Sequence, residues 1–172
     1  MSHIKIPKTN AMRILDGAKI PYEIYTYEVD ENDLSGTHIA DCVGLPYETV
    51  FKTLVAKGDK TGFLVFCIPA DREIDLRKVA SETGNKRIEM LHVKDLLAVT
   101  GYIRGGCSPI GMKKKFPTYL DEEAGKHDRI TVSGGMRGVQ LLIGVRELRN
   151  ITGATLLPLT QEQQEQNETK GE

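Results

Sequence analysis

The chain has 172 residues, with 23 Lys and Arg against 24 Asp and Glu, three Cys and no Trp. That length fits one domain plus a short tail, with enough apolar surface to bury for folding without a disulfide or a metal. A net charge of -1 with 40% hydrophobic residues describes ordinary globular material; it excludes a protein that grips nucleic acid by bulk electrostatics alone, because phosphate neutralisation supplies most of such affinity. Cys42, Cys67 and Cys107 are odd in number and far apart, and neither a Cys-x-x-Cys pair nor a zinc-type histidine spacing accompanies them, so the expectation is a reducing cytosol and no metal. The opening residues lack the apolar core of a signal peptide, and no stretch approaches the roughly 18 apolar residues of a membrane span. These features predict a soluble, cytoplasmic protein with no membrane association.

Thr9 reads as the N-cap of a first helix, with Ala11, Ile14, Leu15 and Ala18 at helical spacing. Pro21 ends it, and Tyr22 to Glu28 alternates as a strand. Ser35 to Val43 predicts a second helix stopped by Gly44 and Pro46. Val50 to Ala56 and Phe63 to Ile68, separated by a polar Lys57-Gly58-Asp59-Lys60 turn, predict a β-hairpin. Two amphipathic helices follow, Asp75 to Thr83 closed by Gly84 and Val93 to Val99 closed by Gly101. A glycine-rich segment, Gly101 to Gly111, leads into the basic run Lys113-Lys114-Lys115. Strands are predicted at Thr118 to Leu120, Arg129 to Ser133 and Val139 to Ile143, then a short helix from Arg146 and a strand around Thr155 to Leu157. Residues 161–172 are too polar to bury apolar area and read as a disordered tail on a single domain spanning 1–160. Hairpin-length turns between strands favour a mixed or antiparallel sheet with packed helices over a doubly wound parallel sheet.

Two features carry chemistry. Gly106 to Gly111 has the terminal glycines of a phosphate loop, but Met112 stands where the lysine is needed and no hydroxyl follows, so that motif fails. What remains is a Gly-Gly-x-Ser-Pro turn, which either packs as a tight connection or brings backbone N–H groups to a carbonyl or oxyanion. Lys52 lies in an otherwise apolar strand, on the face shared by Val50, Leu54 and Ala56. It is either a snorkelling edge residue or an ammonium in a cleft that binds a polar or anionic group. His3, His38, His92 and His127 show no triad or metal spacing and read as surface residues. Cys107 reads as a bystander thiol, with no histidine near it in sequence.

Val50-Phe-Lys-Thr-Leu-Val55, Gly101-Tyr-x-x-Gly-Gly-x-Ser-Pro109 with Gly111-x-Lys-Lys, and Val132-Ser-Gly-Gly-x-Arg-Gly138 together resemble the YbaK branch of the YbaK/ProX family. The resemblance runs from about Thr9 to Pro158. It implies an α/β (α+β) fold with a curved mixed β-sheet, a barrel-like core and surrounding helices, like the editing domain of some prolyl-tRNA synthetases. It implies trans-editing, the release of cysteine mischarged on proline tRNA, a remedy where two amino acids are too alike for one pocket to separate. By position, Lys52 matches the family's required lysine. Gly105, Gly106, Cys107, Ser108 and Pro109 match its Gly-x-x-x-Pro loop, Tyr27 a tyrosine lining the pocket, and Ser133 with Gly134 its closing edge. Phe51, Thr53 and Arg137 complete the implied substrate site. The resemblance further implies attack by the substrate's own thiol, no cofactor, the 3′ end of an aminoacylated tRNA as ligand, and a prolyl-tRNA synthetase as partner. Cys107 and Gln140 depart from the family pattern. Removal of alanine from the same tRNA, and a non-enzymatic module binding RNA ends through the loop and Lys113 to Lys115, are the alternatives.

Overall fold

The computed structural model describes residues 6–162, so the polar tail read at 161–172 lies outside the described residues from 163 onward. Local signals form the elements they predict. Thr9 accepts a hydrogen bond from the Met12 N–H and opens α1 (Asn10–Gly17); Ser35 and Asp75 cap α2 (Gly36–Val43) and α3 (Leu76–Thr83) in the same way. Left-handed glycines close α2, α3, α4 (Val93–Thr100) and α5 (Val145–Thr152).

The hairpin β2 (Phe51–Gly58) and β3 (Gly62–Pro69) is antiparallel, with Lys52 opposite Ile68. Beyond β3 lie β5 (Thr118–Asp121) and β8 (Thr155–Leu157), both parallel, and β4 (Ile88–Met90) pairs with the other edge of β2, giving the order β4-β2-β3-β5-β8. A second, antiparallel sheet has the order β1-β7-β6, built from β1 (Tyr22–Thr26), β6 (Arg129–Ser133) and β7 (Val139–Gly144). Among the described residues, one parallel bridge, Val50 to Thr131, joins the two sheets. The whole is mixed and bent, as expected, but it does not close into a barrel: among the described residues β1 pairs only with β7, and β8 only with β5. Strand β4 has no counterpart in the sequence reading. Three residues are too few for alternation to show, and the strand is fixed by pairing Ile88 to Met90 with Gly58 to Ala56.

One core lies between the sheets. Phe51, Cys67 and Leu120 meet Ile130, Val132, Val139, Leu141 and Ile143, with Ala11, Met12 and Leu15 of α1 and Leu148 of α5 closing it. Each such large apolar side chain contributes about 1.5–3 kcal/mol by leaving water. Phe51, Val132, Val139 and Leu141 all point inward, so strand alternation turns Lys52, Ser133 and Gln140 to the opposite, outer face. There α3 covers the first sheet through Val79 and Ala80. Near the bridge, Ile39 and Ala40 of α2 pack on Val50 and Ala70. The candidate site opens between these two covers.

Candidate active site

A cleft of about 490 Å³ occupies the outer face beside the Val50–Thr131 bridge. Its floor is Val50 and the start of β2, from Phe51 to Leu54. Its walls are the first turn of α2, the chain after β3 at Asp71 and Glu73, and the glycine-rich loop at Arg104, Gly105 and Cys107; Ser133 and Gln140 form its inner end. Lys52 lies within it, its side chain 25% exposed, with Nζ 3.8 Å from a carboxylate oxygen of the well-exposed Glu73. A pair this long and this solvated contributes little to stability and leaves the ammonium available to a ligand. Phe51 is buried in the core beneath, and the Thr53 hydroxyl lies 3.8 Å from Cys67 Sγ on the facing strand.

The loop is held from behind. Gly106 donates its N–H to Ile103 O at 2.9 Å, and a Cβ there would lie 3.0 Å from the backbone of Met136 and Arg137. Arg137 Nε donates to Arg104 O at 2.8 Å, which fastens the loop to the β6–β7 turn. Ser108 is fully buried and accepts from the Ile110 N–H. Pro109 borders a separate cleft with Lys114 and Lys115. The Gly134 N–H donates to Val139 O, and Gly134 O accepts from the Thr9 hydroxyl at 2.6 Å. Tyr27 donates its N–H to Gly138 O and packs against the cluster of Ile39, Val50 and Ala70 behind the cleft wall; burial raises its phenol pKa.

The structure therefore brings Lys52, Phe51, Thr53, Gly105, Cys107 and Ser133 to one cleft. It places Gly106, Ser108, Gly134, Arg137 and Tyr27 in the supporting frame, and Pro109 on the far side of the loop. Cys107 lines the cleft but packs on Val55, Val65 and Tyr102. Burial pushes its thiol up to about 12, the Thr100 hydroxyl opposing only in part, so at neutral pH it is a thiol and not a nucleophilic thiolate. Among the groups lining the cleft are Lys52, Arg104, the Ser133 hydroxyl, whose oxygen already accepts from the Gly135 N–H, and the backbone of Gly105 and Cys107, whose N–H groups make no backbone hydrogen bond among the described residues. The sequence reading missed the first turn of α2, Arg104, Asp71 and Glu73, and named Gln140 only as a departure. The Ser35 cap marks a helix start, but no local signal tells which surface that turn will face.

The fold thus presents one outer cleft that gathers Lys52, Ser133 and the glycine-rich loop. The sequence profile of the aminoacyl-tRNA editing domain matches residues 37–151, and the chain belongs to that family. It is 49% identical over 153 residues, covering 89% of this chain and 93% of the relative, to a candidate Cys-tRNA(Pro)/Cys-tRNA(Cys) deacylase, EbsC, of Enterococcus faecalis. A proline–tRNA ligase of Thermosipho africanus is 29% identical over 76 residues, 44% of this chain and 13% of the ligase. Among solved structures, a candidate trans-editing enzyme for prolyl tRNA synthetase has a TM-score of 0.74 at 23% identity, covering 89% of this chain and 98% of that one. The hypothetical protein APE2540 has a TM-score of 0.80 at 17% identity, covering 89% and 100%. These two share the fold.

Proposed function

We propose that the protein is a trans-editing deacylase that releases cysteine from mischarged Cys-tRNA(Pro). The observation that carries this is the convergence of Lys52 with the Gly105 and Cys107 amides in one cleft of about 490 Å³, on a chain of the aminoacyl-tRNA editing family; the Enterococcus faecalis relative's name supports the choice of cysteine. The substrate supplies the nucleophile. Its thiol sulfur attacks the ester carbonyl carbon, a C–S bond forms, the C–O bond to the terminal ribose breaks, and the thiol proton ends on the ribose oxygen. The product is a cyclic thiolactone, which water then opens. The protein's part is to hold thiol and carbonyl in attack geometry and to stabilise the oxyanion with Lys52 and the loop amides. No cofactor takes part. The substrate is the 3′ end of an aminoacylated tRNA in the cytoplasm, and a prolyl-tRNA synthetase holds the tRNA body.

Lys52→Ala tests the reading, assayed on tRNA(Pro) charged with cysteine, with serine and with alanine. Loss of one preorganised donor to an oxyanion lowers the rate by about a hundredfold or more, and Cys-tRNA(Pro) is the substrate cleaved. Near wild-type cleavage by Lys52→Ala removes the lysine from the mechanism. Equal cleavage of the seryl ester refutes thiol assistance, and preference for the alanyl ester moves the enzyme to the alanine branch. Saturable binding with no ester loss makes it a binding module.

A further inference from the structure

Of the three cysteines, Cys67 and Cys107 are buried, whereas Cys42 is exposed near the end of α2. It does not stand alone. His38 lies one turn back on the same helix, with Nε2 3.5 Å from Cys42 Sγ and Nδ1 3.7 Å from a carboxylate oxygen of Asp33. Asp33 is itself fixed, since its other carboxylate oxygen accepts from the Ser35 N–H at 3.1 Å and from the Ser35 hydroxyl at 2.6 Å. The Ser35 hydroxyl holds the Asp33 carboxyl below its ordinary pKa, so the group is charged at neutral pH. The order thiol, imidazole, carboxylate is that of a nucleophile, its base and the group that orients the base.

The thiol also opens on a surface of defined chemistry. Ile39 and Ala40 turn inward against Val50 and Ala70, and the first turn of α2 walls the candidate cleft. His38 and Cys42 look another way, into an open depression of about 690 Å³ bounded by Glu28, Val29, Asp30, Glu31 and Asn32. Among the described residues no Lys or Arg lines it, and Arg137 meets Glu31 from outside at 3.7 Å. A reagent approaching the thiol therefore meets carboxylates, which attract an ammonium group and repel another carboxylate.

We propose that Cys42 is a modification site, a thiol served by His38 as base that exchanges with small disulfides carrying ammonium groups, such as cystamine. The thiol proton passes to His38 Nε2, and Cys42 Sγ attacks one sulfur of the disulfide. A new S–S bond forms and the old one breaks. The departing sulfur takes the proton from the imidazolium and leaves as a free thiol. The disulfide is the oxidant: Cys42 is oxidised to the mixed disulfide, and one half of the reagent is reduced. Asp33 keeps Nε2 turned to the sulfur and stabilises the charge that the ring takes up. Cys67 and Cys107, whose thiols burial pushes up to about 12, stay out of this chemistry.

The test mixes the reduced full-length protein, at neutral pH and low salt, with cystamine or with glutathione disulfide, which is anionic. Intact mass and peptide mapping follow the adduct at each cysteine, and N-acetylcysteine amide gives the intrinsic rate of each reagent. Cystamine is expected to modify Cys42 first and, relative to the free thiol, at least about tenfold faster than glutathione disulfide does. High salt is expected to shrink that margin. His38→Gln, with its fold checked by circular dichroism, is expected to slow exchange at Cys42 about tenfold with either reagent, and Asp33→Asn about threefold. Cys42→Ser is expected to take up no adduct under the same conditions. An adduct that appears first on Cys67 or Cys107 overturns the assignment. Exchange at the wild-type rate in both His38→Gln and Asp33→Asn reduces Cys42 to a plain surface thiol, and equal normalised rates for the two disulfides refute selection by the carboxylates. None of these readouts depends on deacylation, so they are decided separately from the function proposed above.

Discussion

Cys107 sits against Val55, Val65 and Tyr102, and burial there disfavours the thiolate by enough to take the pKa to about 12. Cys67, fully enclosed below Thr53, is pushed up as far by the same cause. Both stay protonated through the neutral range, so neither can serve as a nucleophile at pH 7. Cys107→Ala is therefore expected to keep deacylation within about threefold, since it removes one small packed group and no reacting atom; the measurement is kcat/KM on Cys-tRNA(Pro) between pH 6 and 9. A hundredfold loss, or a limb of the pH profile that vanishes in the variant, would show that the thiol reacts. Histidine differed from the sequence reading at two of the described sites: His38 is half-buried, 3.5 Å from Cys42 Sγ and 3.7 Å from an Asp33 carboxylate oxygen. His127 is not a free surface residue but lies 2.9 Å from the buried carboxylate of Glu123, which also meets Lys126 and Arg72. Partners brought in from a distant segment, such as Arg72, leave no mark on the local pattern around a residue.

Among the elements, the glycine-rich loop and the β6–β7 turn act as one unit. Gly105 holds a φ of +86°, which a side chain rarely tolerates, and Gly106 is pressed against the backbone of Met136 and Arg137. Gly106→Ala must push the loop away from that turn, because backbone cannot yield as a flexible side chain would. It is expected to lower kcat/KM at least tenfold while circular dichroism and cooperative unfolding persist; unchanged activity would show that the loop amides need no such anchoring. Helices and the hairpin were legible because their signals are local: Thr9, Ser35 and Asp75 as caps, left-handed glycines as stops, and a β-branched run on either side of a polar turn. Strand β4 was not legible, since only pairing with Gly58, Lys57 and Ala56 makes it a strand. Pro109 illustrates the converse. It belongs to the loop motif, yet it borders the cleft of Lys114 and Lys115, since a turn presents successive residues to different sides.

Over the whole molecule, charge is nearly balanced and the cations are dispersed. Lys52 and Arg104 reach the candidate cleft, the Lys114 and Lys115 side chains line another, and Arg137 is occupied with Arg104 O and Glu31. With at most two phosphates neutralised in the cleft, the dependence of log affinity on log salt for tRNA(Pro) is expected to have a slope no steeper than about -1.5. Binding measured from 50 to 300 mM salt checks this. A slope several times steeper would mean a broad electrostatic footprint and no need of a partner to hold the tRNA body.

The sequence by itself determined the caps, the stops, the hairpin, the alternation that sets Lys52 on one face with Val50, Leu54 and Ala56, and the prominence of Lys52 and the glycine-rich loop. Those depend on backbone preference and on residues a few positions apart. Tertiary structure alone decided that Gln140 and the first turn of α2 share a cleft with Lys52 and Ser133, that Gly106 and Arg137 brace the loop rather than line the cleft, and that the sheet stays open. The reason is physical: alternation fixes which way a side chain points within its own strand, but which pointed faces meet is set by the Val50–Thr131 bridge and by core packing between residues some 80 positions apart.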